Sequence, residues 1–192
     1  MAQPTRVVTG KVRLMFPNLF RPVALREGQE PKYSVMLVIS KDDTETIERL
    51  RAAEAEAEAF GIKNKWGGKK PTRGYSPSVI KDADEDGTAD EYPDRKNTYY
   101  MTVSANSRFA PGIVDRDRVE ILDESQVYSG AFARVSVTAF AYDQQGNKGV
   151  SFGLNNVQML GGGERLLGGP RAQDEFADDL PDEDTDSGSD LL

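Results

Sequence analysis

The chain has 192 residues, with 24 Lys and Arg against 32 Asp and Glu and neither Cys nor His, so its formal net charge is −8. Without thiol or imidazole side chains, disulfides, Cys or His zinc sites, iron–sulfur clusters and catalytic Ser–His or Cys–His pairs are excluded. No apolar run approaches the roughly 18 residues of a membrane span, and the first residues lack the apolar stretch of a signal peptide. We therefore expect a cytoplasmic protein that is not an enzyme, holds no metal or cofactor and does not associate with membranes.

Two strands are predicted in the first part of the chain. Residues 6–16 alternate between apolar and polar side chains, which indicates a half-buried strand with a basic outer face. Its predicted inward residues are Val8, Val12, Leu14 and Phe16. Residues 33–40 are apolar on both faces, which is typical of a central strand.

A helix is predicted next, over residues 43–60, where apolar side chains recur at helical spacing. Asp42 or Asp43 caps its start, and Gly61 is expected to end it. Residues 61–97 then read as a long irregular excursion rich in Gly, Pro and charge. Compact domains seldom carry such a loop unless it has a function.

Three further strands are predicted at residues 98–105, 128–142 and 149–160. The second of them places small apolar side chains on one face: Ala133, Val135, Val137, Ala139 and Ala141. A turn at residues 145–147 joins it to the last strand in a hairpin. About five strands and one main helix predict a mainly β fold, namely a small barrel such as the OB-fold with a long inserted loop, although other α+β folds fit the same pattern.

Residues 61–74 are the first candidate for binding chemistry, because they carry five bases, no acid and the only Trp of the chain. The bases are Lys63, Lys65, Lys69, Lys70 and Arg73. Cations interleaved with an aromatic ring suit single-stranded nucleic acid, since the cations neutralise phosphates and the ring stacks on a base. The alternative is a solvated loop whose Trp66 plugs the core.

More bases precede this segment, because residues 6–26 contain five and no acid. Lys11 and Arg13 lie on the outer face of the first predicted strand, and Arg134 lies among aromatic residues on the outer face of the fourth. That outer face is either a platform for bases or a contact with a second layer or a second copy. The candidate stacking residues are Trp66, Tyr75, Tyr100, Phe132 and Phe140.

Residues 82–91 resemble the opening of an EF-hand calcium loop. Asp82, Asp84 and Asp86 occupy its first, third and fifth positions, and Gly87 occupies the sixth. The twelfth position is Pro93, where an EF-hand has a bidentate Glu. The sequence therefore favours an acidic turn without metal, and a calcium-dependent interaction module remains an alternative.

Residues 171–192 hold nine acids against one base, so they carry the whole net charge and leave 23 bases and 23 acids in the rest of the chain. Such a stretch buries too little to offset its ordering entropy and is predicted to be disordered. An acidic tail with apolar residues competes with phosphate for basic surfaces, recruits partner proteins, or only promotes solubility. The candidate partner-binding residues are Phe176, Asp178, Asp179, Leu180, Asp190, Leu191 and Leu192.

Four stretches resemble a known family. They are GKVRLMFPNLFRP, YSVMLVISKDD, VYSGAFARVSVTAFAYDQQGNKGVSFGLNNVQML and GGGERLLGG. The chain is similar in them to a family of bacteriophage single-stranded-DNA-binding proteins. The resemblance implies an OB-fold that binds single strands without strong sequence preference during phage DNA replication or recombination. The tail also resembles those of other single-strand binders, although it ends in Leu-Leu where many of them end in Phe.

We therefore expect a single-stranded-DNA-binding domain at residues 1–160, a Gly-rich linker at 161–170 and an acidic tail at 171–192 that competes with DNA and recruits a phage or host polymerase, helicase or recombinase. The protein is expected to be a monomer or homodimer. The expected contacts with the DNA backbone come from Lys11, Arg13, Lys63, Lys65, Lys69, Lys70, Arg73 and Arg134. A phage structural or scaffold protein with a β domain is the alternative from another class.

Overall fold

The computed structural model describes residues 4–167, which form one nine-stranded sheet and one long helix. The strands are β1 (Arg6–Val8), β2 (Val12–Val23), β3 (Lys32–Ser40), β4 (Tyr75–Ser76), β5 (Lys81–Asp82), β6 (Thr98–Asn106), β7 (Gly112–Val114), β8 (Phe132–Gln144) and β9 (Asn147–Met159). The helices are α1 (Thr44–Asn64) and α2 (Thr88–Glu91), with 3-10 turns at Pro93–Arg95 and Glu124–Gln126. No helix in this range is long and apolar enough to cross a membrane.

The five long strands close into a barrel. β2 pairs with β3, β3 with β6, β6 with β9, β9 with β8, and β8 again with β2. Numbered by their order in the chain, these strands are neighbours as 1-2-3-5-4-1, and only the β6–β9 pair is parallel. A closed five-stranded Greek-key barrel is the architecture of the OB-fold. The prediction of a mainly β barrel with one main helix is confirmed, and the four short strands are additions at its borders.

The barrel core consists of the inward faces of the long strands and one face of α1. The small-residue face predicted for β8 is buried, with none of its five members more than 3% exposed. Leu50, Ala53 and Ala57 of α1 are also buried. Because the inward side chains of β8 are small, α1 can pack closely against the sheet. The alternation in the sequence therefore indicates both the inward face of β8 and where the helix packs.

The predicted end of α1 at Gly61 is wrong, because the helix continues to Asn64. Gly61 is buried inside the last turns, and a Cβ atom there would lie 2.7 Å from the Trp66 ring and 2.8 Å from Ala141 Cβ. The glycine therefore serves close packing and does not stop the helix. The predicted start is correct, since Asp43 Oδ1 accepts a hydrogen bond of 3.1 Å from Thr46 N.

The single strand predicted over residues 6–16 is also corrected, because the chain there forms two strands. Thr9 is fully buried between them, and its Oγ1 accepts a hydrogen bond from Val135 N. This interruption changes the alternation, so Val8 faces solvent. Phe16, expected in the core, has a φ of 50° at an irregularity of β2 and lies outside the barrel.

The predicted hairpin is confirmed as β8 and β9, joined by a two-residue turn. Gln145 has a φ of 51° and Gly146 a φ of 82°. Positive φ at both central residues is the type I′ geometry that matches the twist of the flanking strands. The excursion after α1 is less irregular than predicted, since β4 pairs with β9 and β5 pairs with β6.

The acidic turn that resembles a calcium loop is closed by a lysine. Lys41 Nζ lies 2.7 Å from Asp82 Oδ1 and 2.7 Å from Asp84 Oδ2. These hydrogen bonds hold the pKa of both carboxyl groups below the usual value, and they raise the pKa of Lys41. The Lys41 ammonium thus supplies the positive charge between the two aspartates. Within residues 4–167, no group of three acidic side chains converges on a metal position.

We expect millimolar calcium to leave the melting temperature of the protein unchanged, because the Lys41 ammonium already occupies the position between Asp82 and Asp84. Thermal unfolding followed by circular dichroism with and without calcium measures this. A rise in melting temperature with calcium would contradict the assignment. The matched variant Lys41→Met should melt at a lower temperature in the absence of calcium.

The same pairing predicts a pH dependence. The folded-state pKa of Asp82 and Asp84 lies below the ordinary value of 3.8, so their pairing stabilises the fold above that pH and is lost as pH falls through the lowered pKa. Lys41→Met should therefore lose less stability on acidification than the parent protein.

Candidate nucleic-acid interface

Four of the predicted contact residues lie together where β2 pairs with β8. Arg13 and Phe132 are partners in the register of the two strands. Lys11 Nζ lies 4.7 Å and Arg13 Cζ 4.9 Å from the centre of the Phe132 ring, within the range of cation–π attraction. Arg134 follows on the same face of β8, and its Nε donates to Thr9 O at 3.2 Å. We call Lys11, Arg13, Phe132 and Arg134 the β2–β8 cluster; no carboxylate in residues 4–167 pairs with its three bases.

The positive surface extends beyond this cluster to a residue that the sequence did not indicate. Arg118 lines a depression of about 170 Å³ together with Arg134, Ser136, Asn156 and Gln158, and no acid lines it. Arg118 follows the short strand β7 in a segment without hydrophobic periodicity. Its proximity to Arg134 arises from the pairing of β7 with β9, which no local pattern predicts.

Trp66 does not offer a face to a ligand, so its predicted stacking role is contradicted. The side chain is only 7% exposed, its Nε1 donates to Tyr142 O at 3.1 Å, and its ring packs against Gly61. Tyr75 lies edge-on to it, with ring centres 5.7 Å apart. The structure matches the alternative interpretation, in which Trp66 plugs the core.

Tyr75 and Lys70 are engaged with Glu58 of α1. The Tyr75 hydroxyl donates to the Glu58 carboxylate, and Lys70 Nζ lies 2.9 Å from Glu58 Oε2. Partial burial raises the pKa of Tyr75, with the Glu58 carboxylate as a second cause. A ligand would have to compete with Glu58 for both residues. The remaining predicted bases of the segment, which are Lys63, Lys65, Lys69 and Arg73, are exposed and form no ion pair within residues 4–167.

A groove of about 760 Å³ crosses the outer faces of β3 and β6. Ser34 and Ser104 face each other across the two strands, and Thr102 lies beside them. The β2–β3 loop and the β8–β9 turn contribute further lining residues, with Glu30 as the single acid: Leu25, Gly28, Gln29, Glu30, Gln144 and Gln145. In chain order β3 and β6 are the second and third barrel strands, and in OB-folds this face and these loops bind oligonucleotides. We call it the β3–β6 groove.

Two exposed phenylalanines border a depression next to the groove. Phe109 is 73% and Phe140 is 46% exposed, and both line a space of about 400 Å³ with Lys32 and Asn106 of the groove. Gly153 lies beneath Phe140, where an added Cβ would be 3.8 Å from the ring. Phe140 was predicted as a stacking residue, whereas Phe109 was not, because its loop has no alternating pattern. Phe140 also lines a second depression, together with Lys65.

Tyr100, the remaining predicted stacking residue, is hydrogen-bonded to the acidic part of the excursion. Its hydroxyl donates to Asp86 Oδ2 at 2.5 Å, and it also lies 3.2 Å from Thr88 Oγ1. Hydrogen bonds from Thr88 and then from Tyr100 lower the pKa of Asp86 to about 2. The ring is half-buried on the outer face of β6. Tyr100 therefore contributes to the surface beside the groove while its hydroxyl is committed to Asp86.

The predicted tail residues Phe176, Asp178, Asp179, Leu180, Asp190, Leu191 and Leu192 lie outside the described residues. The part of the predicted linker that is described, residues 161–167, lies against the start of β8. Leu166 N donates to Ser129 O at 2.9 Å, and Tyr128 Oη donates to Gly163 O at 2.8 Å. The last described residues therefore lie beside the segment that leads into β8 and Phe132.

Solved structures of phage proteins share this fold. The single-stranded DNA-binding protein from bacteriophage Enc34, in complex with ssDNA, superposes with a TM-score of 0.70 at 20% identity, covering 86% of this chain and 91% of the other. The single-stranded DNA-binding protein gp2.5 encoded by bacteriophage T7 gives a TM-score of 0.57 at 14% identity, covering 83% and 93%. At these identities the similarity concerns the fold, and it agrees with the closed barrel described above.

Sequence comparison is more specific. Protein p50 of Acyrthosiphon pisum secondary endosymbiont phage 1 is 31% identical over 180 residues, which cover 91% of this chain and 94% of the relative. The family model described as the ssDNA-binding protein of Enterobacter phage Enc34 matches residues 5–187. The resemblance inferred from the four sequence stretches is confirmed, and the chain belongs to the family of the Enterobacter phage Enc34 single-stranded-DNA-binding protein.

Proposed function

We propose that this protein binds single-stranded DNA, largely without sequence preference, and performs no catalysis. The observation that carries the proposal is the β3–β6 groove with Phe109 and Phe140 at its border, on the face that OB-folds use for oligonucleotides. Membership of a phage ssDNA-binding family supports the same ligand.

The chemistry of the groove suits a strand of any sequence. Its floor consists of the short hydroxyl side chains of Ser34, Thr102 and Ser104, which leave room for a nucleotide. Phe109 and Phe140 present ring faces, and every base has a π-face that stacks on such rings. Lys32 supplies a positive charge in the same lining. Stacking and phosphate contacts of this kind position a strand without reading base edges.

The β2–β8 cluster extends the proposed path. β2 lies between β8 and β3, and Arg13 is paired with Phe132 on one side and with Val38 on the other. Neighbouring strands are roughly 4.8 Å apart, so the outer face of β6 and that of β8 are separated by about 15 Å across β3 and β2. A single DNA strand crossing the barrel strands therefore reaches the groove and the cluster. Lys65 lines a depression together with Phe140 and adds a positive charge beside that ring.

We further propose a role in phage DNA replication or recombination in the bacterial cytoplasm, with the acidic tail acting in two ways. The tail competes with DNA for the basic surface, and it recruits a phage or host polymerase, helicase or recombinase through its apolar and acidic residues. Charge supports the first action, because nine acids follow a chain segment that lies against the start of β8, the strand that carries Phe132 and Arg134. A tethered anion near its binding site acts at high effective concentration.

Binding of oligo(dT) should depend on salt and on the two phenylalanines. If about four or five phosphates are neutralised, log affinity against log salt concentration should have a slope of about −3. Phe140→Ala and Phe109→Ala should each weaken binding by about 1–3 kcal/mol, because each removes one stacking face. Fluorescence anisotropy of labelled oligo(dT) measures both effects.

Leu122→Ala is the matched control, since Leu122 is also highly exposed but lines neither the groove nor the Phe109–Phe140 depression. Binding that is independent of salt, or equal for the phenylalanine variants and this control, would contradict the proposed interface.

Removal of residues 171–192 should raise the affinity for oligo(dT), most clearly at low salt, where screening of the tail is weakest. A full-length variant with the tail Asp and Glu residues replaced by Asn and Gln keeps the length and should behave like the deletion. Equal affinity of all three proteins would exclude competition by the tail and leave it a role in partner recruitment or solubility.

A further inference from the structure

Arg95 is a nearly buried arginine surrounded by aromatic rings. It ends the 3-10 turn Pro93–Arg95 of the acidic excursion and is 5% exposed. Its guanidinium carbon lies 4.6 Å from the ring centre of Tyr92, 5.8 Å from that of Tyr100 and 6.0 Å from that of Phe16. We call Phe16, Tyr92, Arg95 and Tyr100 the Arg95 cluster.

No acceptor in the described part of the chain satisfies this guanidinium. Arg95 Nε is buried without a hydrogen-bond partner, and no carboxylate in residues 4–167 forms an ion pair with the side chain. A buried charge without a partner is costly, which makes such a group a candidate for binding an anion.

The acids of the same excursion do not fill this role. Residues 82–94 contain seven of them, yet Asp82 and Asp84 pair with Lys41, and Asp86 accepts hydrogen bonds from Tyr100 and Thr88. The other four acids, Glu85, Asp90, Glu91 and Asp94, form no ion pair with Arg95, which is left unpaired in a segment rich in carboxylates. Aromatic rings, which do not neutralise the charge, are its neighbours instead.

The Arg95 cluster lies between the two surfaces proposed to hold DNA. Tyr100 is two residues from Thr102 on the same face of β6, a distance of roughly 7 Å, and Thr102 lines the β3–β6 groove. Phe16 is three residues from Arg13 along β2, a distance of roughly 10 Å, and Arg13 belongs to the β2–β8 cluster.

Two rings of the cluster face solvent at this position. Phe16 is 49% and Tyr92 is 43% exposed. The φ of 50° at Phe16 is rare for a bulky residue, so the backbone accepts a strained conformation while the ring is kept out of the core. Exposed rings beside an unpaired guanidinium are the groups that bind a base and its phosphate.

We propose that the Arg95 cluster is a nucleotide subsite of this protein, in which Arg95 binds a phosphate of single-stranded DNA and Phe16 and Tyr92 stack on the adjoining bases. The inference rests on the proposed function and deepens it, because the subsite joins the β3–β6 groove to the β2–β8 cluster. A strand that occupies only the groove does not need the subsite, whereas a strand that spans both surfaces must cross it.

The test compares oligo(dT) lengths near the two ends of the range of about 4–16 nucleotides that an OB-fold binds. With the full-length protein, Tyr92→Ala should weaken binding of the long oligonucleotide about fivefold or more and leave the short one unchanged. Arg95→Gln should make the salt slope for the long oligonucleotide shallower by about 0.7, the value for one phosphate on a single strand. Lys96→Gln removes the same charge at the next residue and should change neither value.

Melting temperatures separate a binding role from a structural one, and Tyr92→Ala keeps the test valid if Arg95→Gln fails to fold. If a folded Tyr92→Ala variant binds the long oligonucleotide as tightly as the parent protein does, the subsite is overturned. The Arg95 cluster would then have only a structural role, which is to hold the excursion against the barrel. Equal losses of affinity for the short and the long oligonucleotide would also overturn the subsite. Tighter binding by Arg95→Gln would overturn it too, and would indicate that Arg95 binds the acidic tail. If the parent protein binds neither oligonucleotide, the proposed function itself fails.

Discussion

Closure of the barrel through β8 is the constraint on which the rest of the molecule depends. β8 pairs with β2 along one edge and with β9 along the other, and its inward face is buried against α1. Because the sheet is closed, each long strand turns one face into the common core and leaves the other free. The outer faces of the five long strands are thus the surfaces available to a ligand, and the candidate contacts lie on those of β2, β3, β6 and β8 or on adjoining loops.

The alternation of apolar and polar residues within single strands is enough to predict the barrel. Features that depend on contacts between distant segments of the chain cannot be predicted from it. The inward face of β8 and the β8–β9 hairpin follow from local pattern and turn chemistry. The role of Trp66 does not follow from local pattern, because its hydrogen-bond partner Tyr142 is 76 residues away in the chain. Gly61 has the residue type of a helix stop, and only the neighbouring Trp66 ring shows that it is a packing position.

The same distinction explains why only part of the candidate site can be predicted from the sequence. Arg13, Phe132 and Arg134 lie on regular strands and Lys11 directly precedes β2, so alternation indicates their outward direction and the register brings them together. Phe109, Arg118 and Arg95 lie in loops or turns, where position depends on which strands the loop connects. The alternation places Phe16 on the inward face of the first predicted strand, because the interruption at Thr9 and the positive φ at Phe16 leave no mark in it.

The net charge of −8 is compatible with a DNA-binding surface because the charges are segregated. Apart from the tail, Lys41 pairs with Asp82 and Asp84, and Tyr100 and Thr88 donate hydrogen bonds to Asp86. The bases of the β2–β8 cluster form no ion pair within residues 4–167. Net charge affects encounter and solubility, while the local distribution decides where a phosphate binds.

Photo-crosslinking of the full-length protein to oligo(dT), followed by mass spectrometry of the linked peptides, tests the central claim most directly. The account predicts that DNA crosses the outer faces of β6, β3, β2 and β8, so crosslinks should fall on Phe109 and Phe140 beside the groove and on Phe132 in the β2–β8 cluster. Crosslinks confined to segments away from these faces, such as the exposed side of α1 around Glu48 and Arg49, would contradict it.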